Sequence, residues 1–89
     1  MTKSKKAERM MEVTLTNDAV KQYKRLNEPD SSRITVAIDK LEMEPPEGDI
    51  LELKGHPGVY RLRIGRFRIL FTKTSNHVDI FKIARRGKD

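Results

Sequence analysis

The stretch VYRLRIGRFRILF, residues 59–71, decides the fold of this chain. Apolar side chains recur at every second position on either side of a glycine: Tyr60, Leu62, Ile64, Phe67, Ile69 and Phe71. Four arginines lie between them: Arg61, Arg63, Arg66 and Arg68. A period of two is typical of a β-strand with one buried face. The stretch therefore predicts two antiparallel strands, Val59 to Ile64 and Arg66 to Lys73, joined by a tight turn near Gly65.

This hairpin is predicted to present its arginines together. If both apolar sets face the core, the four guanidinium groups share the opposite side of two strands that lie about 5 Å apart. No Asp or Glu lies between Lys54 and Thr72 to balance them. Guanidinium groups bind phosphate oxygens in pairs, so a phosphate-bearing ligand is the natural partner. The alternative is a solvated outer face with no ligand.

The charge distribution supports a polyanionic partner. Residues 1–53 hold 9 Lys/Arg and 11 Asp/Glu, a net −2, and residues 54–89 hold 10 and 2, a net +8, which together give the total of +6. The positive charge is thus concentrated in the last third of the chain, a pattern that favours nucleic-acid binding. A merely soluble basic protein is the alternative.

The rest of the chain predicts the elements that cover this sheet. Residues 11–15 alternate as a half-buried strand, and Thr16, Asn17 and Asp18 offer caps for a short amphipathic helix that ends before Pro29. Residues 30–32 offer a second cap, and apolar residues at helical spacing follow: Ile34, Ala37, Ile38 and Leu41. Residues 50–53 form a short apolar run. Residues 78–84 predict a central strand whose two faces the pattern leaves unassigned.

These elements predict an α+β domain: an N-terminal strand, a two-helix hairpin, then antiparallel strands in one sheet with both helices on one face. A length of 89 residues allows one domain, predicted at residues 10–89 after a mobile basic arm at residues 1–9. Without cysteine the chain has no disulfide, which fits a reducing cytoplasm. No apolar run is long enough to span a membrane, and no metal-ligand spacing or phosphate loop suggests a metal or small-molecule cofactor.

The stretch LKGHPGVYRLRIGRFRILF, residues 53–71, resembles the signature of RelE-type toxins of the RelE/ParE superfamily. That signature is a Leu-basic-Gly turn, a strand with two basic positions, and a second strand with an aromatic-Arg pair. A later Ile-x-x-Arg element is matched at Ile83 to Arg86. The strand-helix-helix-strands order is also similar, so the resemblance covers residues 10–89.

The resemblance implies a toxin that cuts mRNA on the ribosome without a metal or other cofactor. The ribose 2′-OH would attack the adjacent phosphate while cations stabilise the phosphorane. It implies catalytic roles for Arg61, Arg63, Arg68 and Arg86, with Arg85 as the alternative to Arg86. Lys54, His56, Arg66 and Arg85 are the predicted substrate-binding residues. Ribosome, mRNA and a cognate antitoxin are the implied partners.

Two departures from the family pattern leave other functions open. Arginine stays protonated, so Arg61 and Arg63 stabilise charge better than they accept a proton; His56 is a candidate base, although an exposed turn histidine without a role is the simpler interpretation. Relatives also carry a tyrosine after the terminal arginine, and this sequence has none there. The alternatives are a ParE-like inhibitor of DNA gyrase and a catalytically weakened member of the family.

Overall fold

The structure is a computed structural model that describes residues 11–86. Its elements run in the order β1 (Glu12–Leu15), α1 (Asn17–Lys24), α2 (Asp30–Lys40), β2 (Asp49–Glu52), β3 (Val59–Ile64), β4 (Phe67–Lys73) and β5 (His77–Arg85). This is the predicted order of strand, two helices and strands. The basic arm predicted at residues 1–9 lies outside the described residues, as do residues 87–89.

The strands form one five-stranded sheet in the order β1-β5-β4-β3-β2. Strands β2 to β5 are an antiparallel meander, as the sequence predicted. The first strand lies at the far edge and pairs with β5 in parallel, with Val13 opposite Val78 and Leu15 opposite Ile80. The first and last strands along the chain, β1 and β5, are therefore neighbours, which places β5 in the interior of the sheet.

The two helices begin with different caps. Thr16 caps α1, and its hydroxyl accepts a hydrogen bond from the backbone N–H of Ala19 at 3.2 Å, as predicted. The second cap was predicted wrongly at residues 30–32. Helix α2 begins at Asp30 after Pro29, which has no capping side chain. Instead the Glu28 carboxylate accepts hydrogen bonds from the backbone N–H and the hydroxyl of Ser32, at 3.3 and 2.6 Å.

Both helices pack on one face of the sheet, as predicted. A single core cluster joins Ala19 of α1 and Ile34, Ala37 and Leu41, on or just after α2, to buried residues of β3, β4 and β5: Leu62, Phe67, Ile69, Phe71, Val78, Ile80 and Ile83. Tyr60 also faces this side and stacks on Phe71, with ring centroids 5.6 Å apart. Neither helix covers the other side of the sheet, which we call the open face.

A β-bulge interrupts β5 and explains why its faces could not be assigned from the sequence. Phe71 pairs with Ile80, but its neighbour Leu70 pairs with Lys82, so Phe81 is the extra residue. The bulge shifts the alternation by one position, and the buried residues of β5 are accordingly Val78, Ile80 and Ile83. A strand with that spacing does not match a period of two over its whole length.

Candidate functional site

Three of the four hairpin arginines share the open face. Arg61 and Arg63 flank Leu62, which is buried under the helices, and Arg68 lies between the buried Phe67 and Ile69. Because neighbouring side chains on a strand point to opposite sides, these three side chains point away from the helices. The prediction of a shared arginine face is confirmed for Arg61, Arg63 and Arg68.

The fourth arginine, Arg66, does not lie in the second strand as predicted. Arg66 was expected within the second strand beside Arg68, but β4 begins at Phe67 and Ile64 pairs directly with Phe67. Gly65 and Arg66 are therefore the two central residues of a hairpin turn. Gly65 has a φ of 58°, whereas no residue other than glycine has a positive φ among residues 11–86. A glycine with a positive φ at the first central position, followed by a residue without a positive φ, is typical of a type II′ turn. This turn takes Arg66 out of the strand.

Across the sheet, Arg63 lies between an acidic residue on one side and a second arginine on the other. It is directly opposite Arg68 on β4 and directly opposite Asp49 on β2. Its Nε donates a hydrogen bond to Oδ2 of Asp49 at 3.2 Å. The two side chains are 45% and 58% exposed, so solvent screens this pair. Asp49 offsets part of the repulsion that two arginines directly opposite each other would otherwise feel.

Asp49 is the acid that contacts an arginine of this face, whereas the nearby acids Glu52 and Asp79 have other partners. The Glu52 carboxylate instead accepts from the backbone N–H of Gly58 at 3.0 Å. The Asp79 carboxylate accepts from the Thr14 hydroxyl at 2.7 Å. Only the strand register, which the sequence does not state, shows that Asp49 reaches an arginine.

Arg61 lies in an apolar setting. It is opposite Leu51 on β2 and Leu70 on β4. Its Nη1 is buried and has no hydrogen-bond partner, the only such side-chain atom found within residues 11–86. A buried donor without an acceptor costs about 1–3 kcal/mol. The Arg61 side chain is thus partly withdrawn from solvent, whereas the Arg63 side chain is exposed.

The two C-terminal arginines point to different places. Arg86 follows β5, its backbone N–H bonds the Arg66 carbonyl, and its Nη1 donates to the Gly65 carbonyl at 2.8 Å. It is thus held beside the hairpin turn, at the end of the sheet where Arg63 and Arg68 lie. Arg85 is opposite Phe67, whose side chain faces the core, and its guanidinium lies 5.9 Å from that ring centroid. The register therefore favours Arg86 over Arg85 as the open-face residue.

Lys54 and His56 lie in the loop between β2 and β3. Both are exposed, and the backbone N–H of His56 bonds the Leu53 carbonyl at 3.2 Å. This loop leads into the start of β3, whereas Arg63 lies four residues further on, about 13 Å along the strand. The structure does not bring either residue to the pair Arg63 and Arg68.

A second polar cluster lies on the sheet at the edge formed by β1. The Thr14 hydroxyl donates to Asp79 and is 2.8 Å from Nε2 of His77. Since that hydroxyl has one hydrogen, His77 must donate through Nε2. His77 is the first residue of β5. The cluster is separated from Arg68 by half the length of β4, so it supplies no proton acceptor to the arginines.

Sequence reasoning missed Phe81 and Lys82. Phe81 directly follows the buried Ile80, and Lys82 directly precedes the buried Ile83, so both side chains lie on the open face opposite Leu70. The bulge makes this possible because two residues of β5 oppose one of β4. The signal in the sequence is the irregular spacing of Val78, Ile80 and Ile83, which a bulge explains and a regular strand does not.

Comparison with known families places the fold. A family model described as the ParE toxin of the type II toxin–antitoxin system, parDE, matches residues 13–89. The chain belongs to this family. It is accordingly a toxin of a toxin–antitoxin system, with the RelE/ParE fold. No curated protein matches the sequence of this ParE-family toxin.

Solved structures are similar to this ParE-family toxin over most of its length. A chain of the archaeal RelE–RelB complex from Pyrococcus horikoshii OT3 is 26% identical, with 90% of this chain and 99% of that chain covered and a TM-score of 0.75. The isolated RelE toxin of E. coli is 13% identical, with coverages of 89% and 87% and a TM-score of 0.74. A chain of the ParDE system of P. aeruginosa is 20% identical, with coverages of 86% and 97% and a TM-score of 0.59.

The arginine face of this ParE-family toxin carries charge and hydrogen-bond donors that suit a phosphate group, and no histidine within residues 11–86 lies beside it to exchange a proton. Three guanidinium groups and Lys82 offer fixed positive charge, and arginine does not give up its proton at neutral pH. No cluster of three or more potential metal ligands occurs within residues 11–86. In the same part of the chain, no helix is long and apolar enough to cross a membrane.

Proposed function

We propose that this ParE-family toxin is a ribosome-dependent endoribonuclease that cuts mRNA and so inhibits translation in the cytoplasm. The observation that carries the proposal is the common face of Arg61, Arg63 and Arg68. Cations gathered on a free sheet face, in a chain region with almost no acids, suit the phosphates of a nucleic acid. The TM-scores of 0.75 and 0.74 to RelE structures, against 0.59 to the ParDE chain, favour the RelE-like activity.

The proposed reaction transfers the scissile phosphate from the 5′-oxygen of the next nucleotide to the ribose 2′-oxygen. The 2′-OH gives its proton to water or to a ribosomal group and attacks phosphorus, the bond to the 5′-oxygen breaks, and that oxygen takes a proton from water or from the ribosome. Arg63 and Arg68 hold the phosphate from adjacent strands and stabilise the added negative charge of the phosphorane. Arg61 contributes a third cation, and Arg86 contacts the phosphate or the leaving oxygen at the end of the sheet.

The proton acceptor has to come from outside the arginine group. Arg61, Arg63, Arg68 and Arg86 stay protonated, and His56 lies at the other end of β3. We therefore assign the arginines to charge stabilisation and positioning, and the acceptor to water or to the ribosome. The proposed dependence on the ribosome fits this assignment, because the arginines supply neither the proton acceptor nor the proton donor of the reaction.

The remaining proposed partner is a cognate antitoxin. The structural neighbours include RelE–RelB complexes from Pyrococcus horikoshii and Methanococcus jannaschii, both toxin–antitoxin assemblies. A chain with the same fold and a net charge of +6 suits a partner that carries acidic segments.

Primer extension on mRNA from cells that express the toxin tests the activity. Cuts confined to translated messages support the nuclease, and the variant Arg61→Ala/Arg68→Ala should lose both the cuts and the growth arrest. Arg25→Ala is the matched control, because Arg25 is an exposed arginine at the end of α1. Growth arrest that persists unchanged in a folded double variant contradicts the proposal.

A second candidate is a ParE-like inhibitor of DNA gyrase. The match to the ParE toxin model and the lack of a proton acceptor beside the arginines both favour it. A supercoiling assay with purified gyrase separates the two functions. Inhibition of supercoiling, with intact mRNA in the expressing cells, would support the gyrase function and exclude the nuclease.

A further inference from the structure

The open face is organised in two rows that run across the strands. The first, which we call the charged row, consists of Asp49, Arg63, Arg68 and Ala84, each directly opposite the next. The second, which we call the platform row, consists of Leu51, Arg61, Leu70 and the bulged pair Phe81 and Lys82. The two rows are two residues apart along each strand, about 6.6 Å.

The platform row carries apolar side chains that the core does not use. Leu51 is 57% exposed, although it is large and apolar. Leu70 and Phe81 are partly exposed and belong neither to the buried core nor to the residues packed against it. Apolar surface beside fixed positive charge is costly to leave in water without a ligand, so this row fits a ligand that has both apolar and anionic parts.

Phe81 is the decisive residue of the row. A regular β5 would place only one side chain opposite Leu70, but the bulge places Phe81 there together with Lys82. Bulges beside functional sites commonly redirect a side chain in this way. An aromatic ring, two leucines and Arg61 then lie side by side. Unpaired nucleobases stack on aromatic rings and on arginine side chains, and the leucines extend this surface with apolar contacts.

We propose that the platform row is a nucleobase-binding surface for single-stranded RNA, with the phosphates of the same strand held by the charged row and Lys82. The RNA would cross the β-strands, its bases over Phe81, Leu70 and Leu51 and its backbone over Arg68 and Arg63. The proposal rests on the proposed function, since it states how the RNA substrate of that site is oriented across the strands and where its bases bind. The arrangement predicts a preference for unpaired RNA, because a duplex hides its base faces.

Binding without ribosomes tests this arrangement. The probes are a fluorescent single-stranded oligoribonucleotide of about ten residues, the same sequence as a duplex, and inorganic polyphosphate as a polyanion without bases, all in low salt. We expect Phe81→Leu to weaken binding of the single strand by about fivefold or more, the loss of one stacked base. Binding of polyphosphate should change by less than about twofold. Arg63→Ala should weaken both.

Two further variants separate stacking from packing. Phe81→Tyr keeps the aromatic ring and should restore binding, whereas Phe81→Leu preserves apolar bulk and should not. Leu51→Thr changes an exposed edge residue that the core does not need, so it should weaken single-strand binding with an unchanged unfolding midpoint. Ile50→Thr on the same strand but the opposite face is the matched control and should leave the RNA affinity of the folded protein unchanged.

The outcomes distinguish this proposal from the proposed function. Equal loss for RNA and polyphosphate, full binding by Phe81→Leu, or stronger binding of the duplex overturns the platform. Full RNA binding by both Phe81→Leu and Leu51→Thr would likewise overturn it, and protein docking would be left as the alternative for this row. If the variants behave as expected but expressing cells show no mRNA cuts, the platform stands and the nuclease proposal fails.

Discussion

Nε of Arg63 donates to Oδ2 of Asp49 at 3.2 Å, across the pair of strands β2 and β3. The acid thus lies at the edge of the arginine face and next to the residue that we assign to phosphate binding. A phosphate that approaches Arg63 has to compete with this carboxylate and is repelled by it. Asp49 therefore stabilises the empty face and weakens its hold on nucleic acid.

Asp49→Asn should tighten the binding of single-stranded RNA by about two- to fivefold at low salt. The change removes one negative charge from an exposed position, where a charge pair contributes about 0.2–1 kcal/mol. Arg63 becomes available to one more phosphate, so the slope of log K against log salt should steepen by about 0.7. Fluorescence anisotropy over a salt series measures both values.

Asp39→Asn is the matched control, because Asp39 is an exposed acid on α2, on the covered side of the sheet. It should raise the affinity less than Asp49→Asn does. Equal effects of the two substitutions would mean that only net charge matters and that the contact between Asp49 and Arg63 has no role.

Arg61→Met should stabilise the fold and abolish the toxin's activity. The methionine keeps the apolar stem between Leu51 and Leu70 but removes the buried Nη1 that has no partner. Relief of an unsatisfied donor is worth about 1–3 kcal/mol. Urea unfolding should show a higher midpoint, while growth arrest on expression is lost.

The test is whether stability rises while activity is lost. If Arg61 were purely structural, its substitution would lower the stability and the activity of the protein together. Arg25→Met serves as the control and should change neither. A lower midpoint for Arg61→Met would show that Nη1 makes a contact that compensates for its burial.

The alternation of residues 59–71 was enough to predict the hairpin, its covered face and the shared side of Arg61, Arg63 and Arg68. A strict period of two fixes which side each residue faces, without knowledge of the neighbouring strand. The same reasoning failed at Arg66, because a type II′ turn takes two residues and the strand pattern does not show where the turn ends. It also left the faces of residues 78–84 open, since a bulge breaks the period.

Contacts between strands that are distant along the chain could not be predicted from the sequence. Asp49 and Arg63 are 14 residues apart, and only the register of β2 against β3 brings them together. Thr14 and Asp79 are 65 residues apart and meet through the parallel pairing of β1 with β5. Neither register is encoded in a local pattern, so neither contact could be predicted from a period or a motif.

Thr14→Val should destabilise the fold by about 1–3 kcal/mol. The valine has the same shape but cannot donate to Asp79 or accept from His77, so two partly buried polar groups lose their partner. Chemical denaturation measures the change in the free energy of unfolding. RNA binding by the folded protein should stay the same, because this cluster is distant from Arg63 and Arg68.

Thr72→Val is the control for that substitution. Thr72 lies opposite Asp79 on the same face of the sheet but is exposed, and a valine there should change stability by less than about 0.5 kcal/mol. A similar loss for both variants would mean that the threonine hydroxyls act through the strand conformation rather than through the bonds to Asp79 and His77.

Gly65→Ala should cost about 1–2 kcal/mol of stability and reduce toxicity as well. Gly65 has a φ of 58°, a conformation that a residue with a Cβ adopts only with strain. The strain would be relieved by a shift of the turn, and that turn carries the carbonyl that accepts from Nη1 of Arg86. Arg66→Ala changes the other turn residue, whose φ is not positive, and should leave stability unchanged. Denaturation of both variants, with growth assays in parallel, measures the effect; a Gly65→Ala variant as stable as the parent but less toxic would assign the loss to Arg86 alone.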